Sequence, residues 1–358
     1  MNRESNKSRK TIREPRGMRF RNISIIGDGA MATVMAMLLC EKNRNVRMWG
    51  YDRRQLKLIE STGENIKFLI GYRLPKKLEF EPDDERIMAG ADLIVSAVPC
   101  QFVRQVFERL KDYVPEEVPI VSTAKGIENN SLLRPTQILT SVLWGNQAIG
   151  DEGRAMRLAV LSGPTIADEL ARKLPATACA AAIDEQLAKD VQSTFNCSWL
   201  RVYTNTDVVG VELASACKNI IAIAAGIIDG IGAGDNAKAA LLCRGLAEIT
   251  RLGIACGAKP QTFAGLTGLG DLVTTCISPK GRNRSFGERI GKGQTVEAAQ
   301  QATESVIEGF ATCKSVITLA EQYNVEMPIT QAVYEVLFED KPVQTAISDL
   351  MNRRLKAE

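Results

Sequence analysis

Histidine is absent from the 358 residues of this chain. Because histidine is the commonest general acid or base and a frequent metal ligand, its absence excludes serine–histidine triads, histidine-assisted hydride transfer and most zinc sites. No metal is therefore expected. If the chain is an enzyme, its proton transfer must use Lys, Asp, Glu, Tyr or Cys.

The chain also lacks paired cysteines, a strong net charge and a long apolar run. Its nine cysteines are an odd number without a Cys-x-x-Cys pair, which predicts reduced thiols in a cytoplasmic protein. A net charge of +3 indicates no nucleic-acid partner and no membrane surface. The longest apolar run, residues 220–228, is about half of the roughly 20 residues that a membrane span needs. No membrane span is expected.

The length predicts two domains, because single cores rarely exceed about 250 to 300 residues. Residues 1–17, "MNRESNKSRKTIREPRG", are charged and lack an apolar run. They are predicted to form a disordered tail and not a secretory signal. An organelle transit peptide stays open, although Glu4 and Glu14 count against it.

Short β-branched runs alternate with helical patterns as far as Asp207, which predicts an α/β domain with a mostly parallel sheet over residues 18–206. The segments after Asp207 are rich in Ala, Leu, Ile and Glu and predict an all-helical domain over residues 207–358. The glycine-rich "GLTGLGDL" and "SPKGRNRSFG" are predicted as loops between helices. The predicted strands are residues 22–27, 46–50, 91–99, 118–126, 157–164, 177–183 and 200–205.

The stretch "ISIIGDGAMATVMAMLLC" leads from an apolar strand through a glycine turn into a helix that begins near Ala30. In a Rossmann turn the first glycine permits the bend, the second admits the pyrophosphate, and the third keeps helix and strand close. Gly27 and Gly29 fill the first two places, and Ala32 fills the third with one tolerated methyl group. Asp28 is unusual here, because a carboxylate repels a pyrophosphate and must point away or weaken binding.

The segment "WGYDRR" carries charges of both signs at the end of the second strand. A carboxylate there binds the ribose hydroxyls of NAD, whereas arginine neutralises the 2′-phosphate of NADP. Asp52 favours NAD, and Arg53 and Arg54 favour NADP. An ordinary solvated helix start explains all three charges equally well. The predicted cofactor is therefore NAD or NADP.

Seven blocks in order resemble the NAD(P)-dependent glycerol-3-phosphate dehydrogenases: "VPCQFVRQV", "STAKGIE", "LSGPTIADEL", "GVELASACKNIIAIAAGIIDGIG", "NAKAALLCRGLAEITRLG", "GLTGLGDLVTTC" and "GRNRSFG". The resemblance covers nearly the whole chain past residue 20. It implies a Rossmann-like domain followed by a helical domain, and a soluble homodimer. It also implies reduction of dihydroxyacetone phosphate to sn-glycerol 3-phosphate, a precursor for glycerophospholipid synthesis.

Lys218, in an otherwise apolar helix, is the candidate acid, because histidine is absent and a buried ammonium needs a partner. The alternative is a lysine that reaches solvent from the helix edge. The resemblance makes Lys218 the proton donor and acceptor, so its pKa should lie below about 10.4. Asp271 is its expected partner, with a helix cap as the alternative. Lys125 ends a predicted strand, where ligands bind, and the resemblance implies that it contacts both cofactor and substrate.

The segment "SPKGRNRSFGERIGKG" concentrates positive charge suited to a phosphate. The resemblance implies that Arg282 and Asn283 hold the substrate phosphate, and that Arg282 also lies near the cofactor. A solvated basic loop is the alternative, and we expect it to describe Arg289 and Lys292. The basic residues of the segment are Lys280, Arg282, Arg284, Arg289 and Lys292.

The other site residues follow from the resemblance. The chain departs from the usual family pattern at Ala30, Met31, Ala32, Tyr51 and Gly281, which leaves the effect on affinity open. Two other functions remain: a hydroxyacid dehydrogenase of the same superfamily, and a non-catalytic NAD(P)-binding regulator. The further substrate positions are Gly163, Thr165, Asn219 and Thr275, and the cofactor positions are Gly27, Gly29, Ala30, Met31, Tyr51, Ala167, Val306 and Glu308.

Overall fold

The structure is a computed structural model that describes residues 20–355. The predicted tail of residues 1–17 lies outside the described residues. The strands are β1 (Asn22–Ile26), β2 (Asn45–Trp49), β3 (Glu64–Asn65), β4 (Leu69–Arg73), β5 (Glu79–Phe80), β6 (Leu93–Ser96), β7 (Ile120–Ser122), β8 (Leu158–Ser162), β9 (Ala176–Ala182) and β10 (Leu200–Asn205). The α-helices are α1 (Ala30–Glu41), α2 (Arg53–Thr62), α3 (Asp84–Met88), α4 (Cys100–Leu110), α5 (Pro135–Trp144), α6 (Glu152–Ala155), α7 (Ala167–Ala171), α8 (Glu185–Phe195), α9 (Val208–Ile231), α10 (Asp235–Ala255), α11 (Pro260–Ala264), α12 (Asp271–Ile277), α13 (Arg282–Gly291), α14 (Val296–Gln301), α15 (Glu308–Gln322), α16 (Pro328–Phe338) and α17 (Val343–Met351).

Eight strands form one sheet in the order β10-β9-β8-β7-β6-β1-β2-β5. All neighbouring pairs are parallel except β8 and β9. The prediction of a Rossmann-like, mostly parallel sheet is therefore confirmed. The strand order reverses between β1 and β6, and ligands of such sheets bind in the crevice beyond the carboxyl ends at that point.

All seven predicted strands are present, with ends that differ by a few residues. The sequence missed three short strands, β3, β4 and β5. β3 and β4 form a separate antiparallel pair, and β5 adds a short edge to the main sheet beside β2. β3 and β5 have two residues each and carry too little alternation to be predicted from their pattern, and the five residues of β4, LIGYR, do not alternate between apolar and polar.

All secondary-structure elements that the structure describes after β10 are helices, which confirms the predicted helical region. Its central element is α9, which packs against α10, α12, α13 and α15. Within the described residues, α9 is the one helix that is long and apolar enough to cross a membrane by length and composition. Its apolar window is 89% buried inside the protein, so the surrounding helices cover that surface.

Glycines allow α9 and α13 to pack with their backbones in contact. A Cβ atom added at Gly226 would lie 1.9 Å from the carbonyl oxygen of Arg284, and one at Gly287 would lie 2.0 Å from that of Ile223. The prediction of a loop over "SPKGRNRSFG" is therefore wrong from Arg282 onward, where α13 begins. Gly287 provides the close contact with α9, whereas Gly281 is the residue that precedes the first turn of α13.

The second predicted loop, "GLTGLGDL", is also mainly helical. Residues 266–270 form a π-helical turn that continues into α12 at Asp271. A Cβ atom at Gly268 would lie 2.0 Å from the carbonyl oxygen of Phe263, so this glycine again permits a close backbone contact. The turn brings the first residue of α12 against the middle of α9.

Candidate active site

Lys218 lies in the middle of α9 with only 4% of its surface exposed. Its Nζ donates hydrogen bonds to Asp271 Oδ1 and Thr275 Oγ1, both at 2.6 Å. Asp271 is therefore the ion-pair partner of Lys218, as predicted, and its side chain does not cap α12. An ammonium has three donors, so one N–H of Lys218 remains for another acceptor.

Burial lowers the pKa of Lys218 to about 8, the nearby charge of Lys125 adds to this decrease, and Asp271 opposes it. For Asp271, burial by itself raises the pKa, but the charges of Lys125 and Lys218 outweigh burial and hold it below its usual value. The buried carboxylate thus stays ionised between two lysines. Lys218 can exchange a proton near neutral pH, which a solvated lysine cannot.

Lys125 follows β7 and completes the lysine pair around the same carboxylate. Its Nζ donates to Asp271 Oδ2 at 2.8 Å and to the carbonyl oxygen of Gly163 at 3.0 Å. The Thr165 hydroxyl also donates to the Gly163 carbonyl, at 3.1 Å. Gly163 has φ of +133°, which favours glycine at this point. The segment after β8 therefore holds Lys125 toward the helical half.

A chain of side-chain amides connects Lys125 to α13 and α15. The amide of Asn219 donates to the Lys125 carbonyl oxygen at 3.3 Å, and the amide of Asn283 donates to Asn219 Oδ1 at 3.0 Å. Asn283 Oδ1 in turn accepts the backbone N–H of Gly309 at 2.9 Å. Both asparagines are buried. The network ties the start of α13 to Asn219, the residue that follows Lys218 in α9.

Arg282, Val306 and Glu308 lie together at the starts of α13 and α15. Arg282 donates to the carbonyl oxygen of Val306 at 3.1 Å. Glu308 Oε1 accepts the backbone N–H of Cys100 at 3.2 Å, whereas its buried Oε2 has no partner in the described structure. Burial raises the pKa of Glu308 to about 7, with Arg282 opposing the increase. An unpartnered acceptor here fits a ligand that donates a hydrogen bond.

The glycine turn after β1 has the form that a pyrophosphate requires. Gly27 has φ of +121°, and a Cβ atom there would lie 2.7 Å from the carbonyl oxygen of Ala97. The space beside Gly29 is open, and no side chain caps the N-terminal amides of α1. These free N–H groups can bind phosphate oxygens. Ala32 is fully buried against the sheet, so alanine suits the third position.

The remaining cofactor positions lie on α1, after β2 and on α7. Ala30, Met31 and Ala167 are half-buried beside the core of the sheet domain. Tyr51 follows β2 and is 51% exposed, and its hydroxyl accepts a hydrogen bond from Gln105 at 3.0 Å. The structure therefore places the predicted residues along the carboxyl edge of the sheet and on the facing helices. Their roles in binding stay predictions.

Several contacts around the site were not apparent in the sequence. The buried Asn65 donates to the carbonyl oxygen of Asp28 and to Thr33 Oγ1, both at 2.8 Å, but it belongs to no motif. Lys280 pairs with Asp168 of α7 across the crevice. Arg284, counted with the basic segment, pairs with Asp229 and Glu288 inside the helical half.

Among residues 20–355, no group of three or more His, Cys, Asp or Glu side chains could hold a metal ion. All nine cysteines lie within that range and are free thiols.

Two family models match the chain in tandem. The model described as the N-terminus of NAD-dependent glycerol-3-phosphate dehydrogenase matches residues 22–188, and that of its C-terminus matches residues 207–348. A glycerol-3-phosphate dehydrogenase [NAD(P)+] of Chlorobium phaeobacteroides is 44% identical, over 94% of this chain and 98% of that protein. A Geobacter protein of the same description also has 44% identity, with the same coverage.

Solved structures agree with these sequence matches. The glycerol-3-phosphate dehydrogenase of Coxiella burnetii has a TM-score of 0.87 and 35% identity, over 94% of this chain and all of that one. With matches that span both the sheet and the helical regions, the chain belongs to the NAD-dependent glycerol-3-phosphate dehydrogenase family.

Proposed function

We propose that this chain catalyses the reversible, NAD(P)H-dependent reduction of dihydroxyacetone phosphate to sn-glycerol 3-phosphate. The observation that carries the proposal is the buried Lys218 ammonium, held by Asp271 beside the crevice of a dinucleotide-binding sheet. The family membership favours this activity over a hydroxyacid dehydrogenase and over a non-catalytic regulator. The product supplies glycerophospholipid synthesis.

In the reductive direction, the free N–H of Lys218 binds the ketone oxygen and transfers its proton as the alkoxide develops. NAD(P)H supplies the hydride that the ketone carbon receives. Lys218 is then neutral and regains a proton before the next turnover. In the oxidative direction, the neutral amine accepts the hydroxyl proton. Asp271 and Thr275 hold the nitrogen in place throughout.

We assign the substrate phosphate to the start of α13. Arg282 and the N-terminal amides of α13 supply positive charge there, and Asn283 is held by its bonds to Asn219 and Gly309. Lys125, Gly163, Thr165 and Thr275 complete the proposed substrate site.

We assign the dinucleotide to the crevice between β1 and β6. Gly27, Gly29, Ala30 and Met31 would hold the pyrophosphate, and Tyr51 would lie by the adenosine. Glu308 Oε2 can accept the amide N–H of a nicotinamide ring, since it lacks a partner in the described structure. The proposed cofactor contacts on the other elements are Lys125, Ala167, Arg282 and Val306.

The pKa of Lys218 predicts opposite pH profiles for the two directions. Because Lys218 is protonated below about pH 8 and neutral above it, ketone reduction should decline as the pH rises through about 8, whereas alcohol oxidation should increase. The measurement is kcat in each direction between pH 6 and 10, from absorbance at the nicotinamide band. Parallel profiles in both directions would contradict the assignment of Lys218.

Arg282→Ala should raise the KM for dihydroxyacetone phosphate by about 10- to 100-fold, because a charge-assisted contact contributes about 1.5–3 kcal/mol. The effect on kcat should be smaller, since the contact acts mainly on binding. Steady-state kinetics provide the measurement. The matched control is Arg289→Ala, which removes an exposed arginine from the last turn of the same helix. Equal KM values for wild type and Arg282→Ala would place the phosphate elsewhere.

The most direct test of the activity combines purified protein, dihydroxyacetone phosphate and each reduced cofactor. Oxidation of NADH or NADPH that depends on the phosphorylated ketone supports the proposal. Turnover of 2-keto acids in its place would support a hydroxyacid dehydrogenase, and cofactor binding without any turnover would support a regulator.

We also propose that the protein acts as a cytoplasmic homodimer with two domains, a sheet domain over residues 18–206 and a helical domain over residues 207–358. The change from β/α alternation to helices between β10 and α9 supports this boundary. Sedimentation velocity on purified protein tests the oligomeric state, and a monomer at micromolar concentration would contradict a dimer.

A further inference from the structure

The last residue of β2 and the residue that follows it are not acidic, although NAD-binding sheets commonly have a carboxylate there; the nearest one in the sequence, Asp52, is the N-cap of α2. The usual carboxylate stands about 20 residues beyond the glycine turn and binds the adenosine ribose. In this chain the strand ends at Trp49 and is followed by Gly50, which is buried. The position therefore has no side chain of its own.

The carboxylate of Asp28 occupies the space above Gly50. A Cβ atom built on Gly50 would lie 2.9 Å from Asp28 Oδ2 and 3.1 Å from its carboxyl carbon. Any larger residue at position 50 would displace this carboxylate. The side chain of Asp28 thus projects from the glycine turn toward the end of β2, where the ribose of a bound dinucleotide lies.

The backbone of Asp28 is fixed by the β3–β4 hairpin. The side chain of Asn65, fully buried, donates to the carbonyl oxygen of Asp28 at 2.8 Å, and Asn65 Oδ1 accepts the backbone N–H of Phe68 at 3.1 Å. This anchor fixes the backbone from which the Asp28 side chain extends toward Gly50.

The neighbouring charges leave the Asp28 carboxylate without a close cation. Among residues 20–355 Asp28 forms no ion pair. Burial raises the pKa of Asp28, and the charge of Asp52 adds to the increase; a hydrogen bond from its own backbone N–H and the charge of Lys67 act to lower its pKa. A half-buried carboxylate in this condition gains stability from hydrogen-bond donors, and a ribose supplies two hydroxyl groups.

The charged residues of "WGYDRR" are Asp52, Arg53 and Arg54, and each has a different environment. Asp52 caps α2, with one oxygen accepting the backbone N–H of Arg54 at 2.8 Å. The charge of Arg53 acts on Asp84, whose carboxylate is already paired with Arg109. Arg54 is exposed. Asp28, which lies outside this segment, is the carboxylate in contact with Gly50 at the end of β2.

We propose that Asp28 replaces the missing β2 carboxylate, binds the adenosine ribose hydroxyls of NADH and repels the 2′-phosphate of NADPH. This inference rests on the proposed dinucleotide site and adds a preference for NAD over NADP. Gly50 is part of the same arrangement, because the absence of a side chain there leaves the space that the Asp28 carboxylate fills.

The test is direct binding of NADH and NADPH to the purified full-length chain, measured from nicotinamide fluorescence without substrate. We expect wild type to bind NADH more tightly than NADPH. Asp28→Ala should weaken NADH binding about tenfold or more, while NADPH binding is unchanged or tighter. Asp28→Asn keeps the shape of the side chain and should lose most of the discrimination against NADPH.

Gly50→Ala provides an independent test of the geometry. Its methyl group should displace the Asp28 carboxylate and weaken NADH binding in the same direction, although Asp28 itself is unchanged. Arg54→Ala is the control for the opposite interpretation, and it should leave the ratio of the two dissociation constants as in wild type. Thermal unfolding of each variant verifies that it is folded.

The outcomes separate this inference from the proposed function. If wild type reduces dihydroxyacetone phosphate but Asp28→Ala and Gly50→Ala leave the ratio of dissociation constants unchanged, the assignment of Asp28 is overturned and the function stands. A loss of NADPH binding in Arg54→Ala, with NADPH preferred by wild type, also overturns it. If folded wild type binds neither dinucleotide, both are wrong.

Discussion

Lys218→Ala should lower kcat for dihydroxyacetone phosphate reduction by about 10²- to 10⁴-fold, because the ketone oxygen loses its proton donor and the chain has no histidine to replace it. The fold should survive, since Asp271 keeps its ion pair with Lys125 at 2.8 Å. NADH binding should also persist. The measurements are the rate of NADH oxidation and the fluorescence of bound NADH.

Two further variants make this result specific. Lys218→Met retains most of the side-chain volume in the buried helix and should be as inactive as the alanine variant. Lys189→Ala removes an exposed lysine on α8 and should retain wild-type kcat. Full turnover by Lys218→Met would remove Lys218 from the mechanism.

Asp271→Asn should affect both stability and activity. It leaves Lys218 and Lys125 close together without their counter-ion, and breaking a buried ion pair costs about 3–5 kcal/mol in the free energy of unfolding. Since Asp271 raises the pKa of Lys218, its removal should lower that pKa further below about 8. The decline of ketone reduction with pH should therefore move to lower pH.

Chemical denaturation gives the free energy of unfolding, and the pH profile of kcat tests the catalytic role. Asp229→Asn is a suitable control, because it breaks the ion pairs with Lys238 and Arg284 elsewhere in the helical half. That variant should lose stability without moving the pH profile. An unshifted profile in folded Asp271→Asn protein would mean that this carboxylate has no influence on the proton-transfer group.

The sequence predicted the parts of the site that depend on local pattern. The glycine turn, the seven main strands and the lysine in an apolar helix each leave a signal within a few residues. The partner of Lys218 was also predicted, because a buried ammonium needs a partner and the polar segment "GLGDL" offers Asp271.

The contacts between distant segments could not be predicted from one sequence. Asn65 fixes the glycine turn from a two-residue strand, and nothing in its immediate sequence indicates that role. The glycines in "GRNRSFG" suggested a loop, but Gly287 lies against the backbone of α9 at Ile223, a contact that is evident only once both helices are placed. The role of Arg284 likewise depends on Asp229, more than 50 residues away.

The glycine contact between α9 and α13 has a consequence for substrate choice. α9 carries the nitrogen proposed to donate the proton, and α13 begins with the arginine proposed to bind the anion. The close backbone contacts at Gly226 and Gly287 oppose sliding of one helix along the other. The span between the nitrogen and the arginine is therefore a fixed length. A substrate is therefore selected by the distance between its anionic group and its reacting carbon. A longer substrate would place that carbon beyond the Lys218 nitrogen.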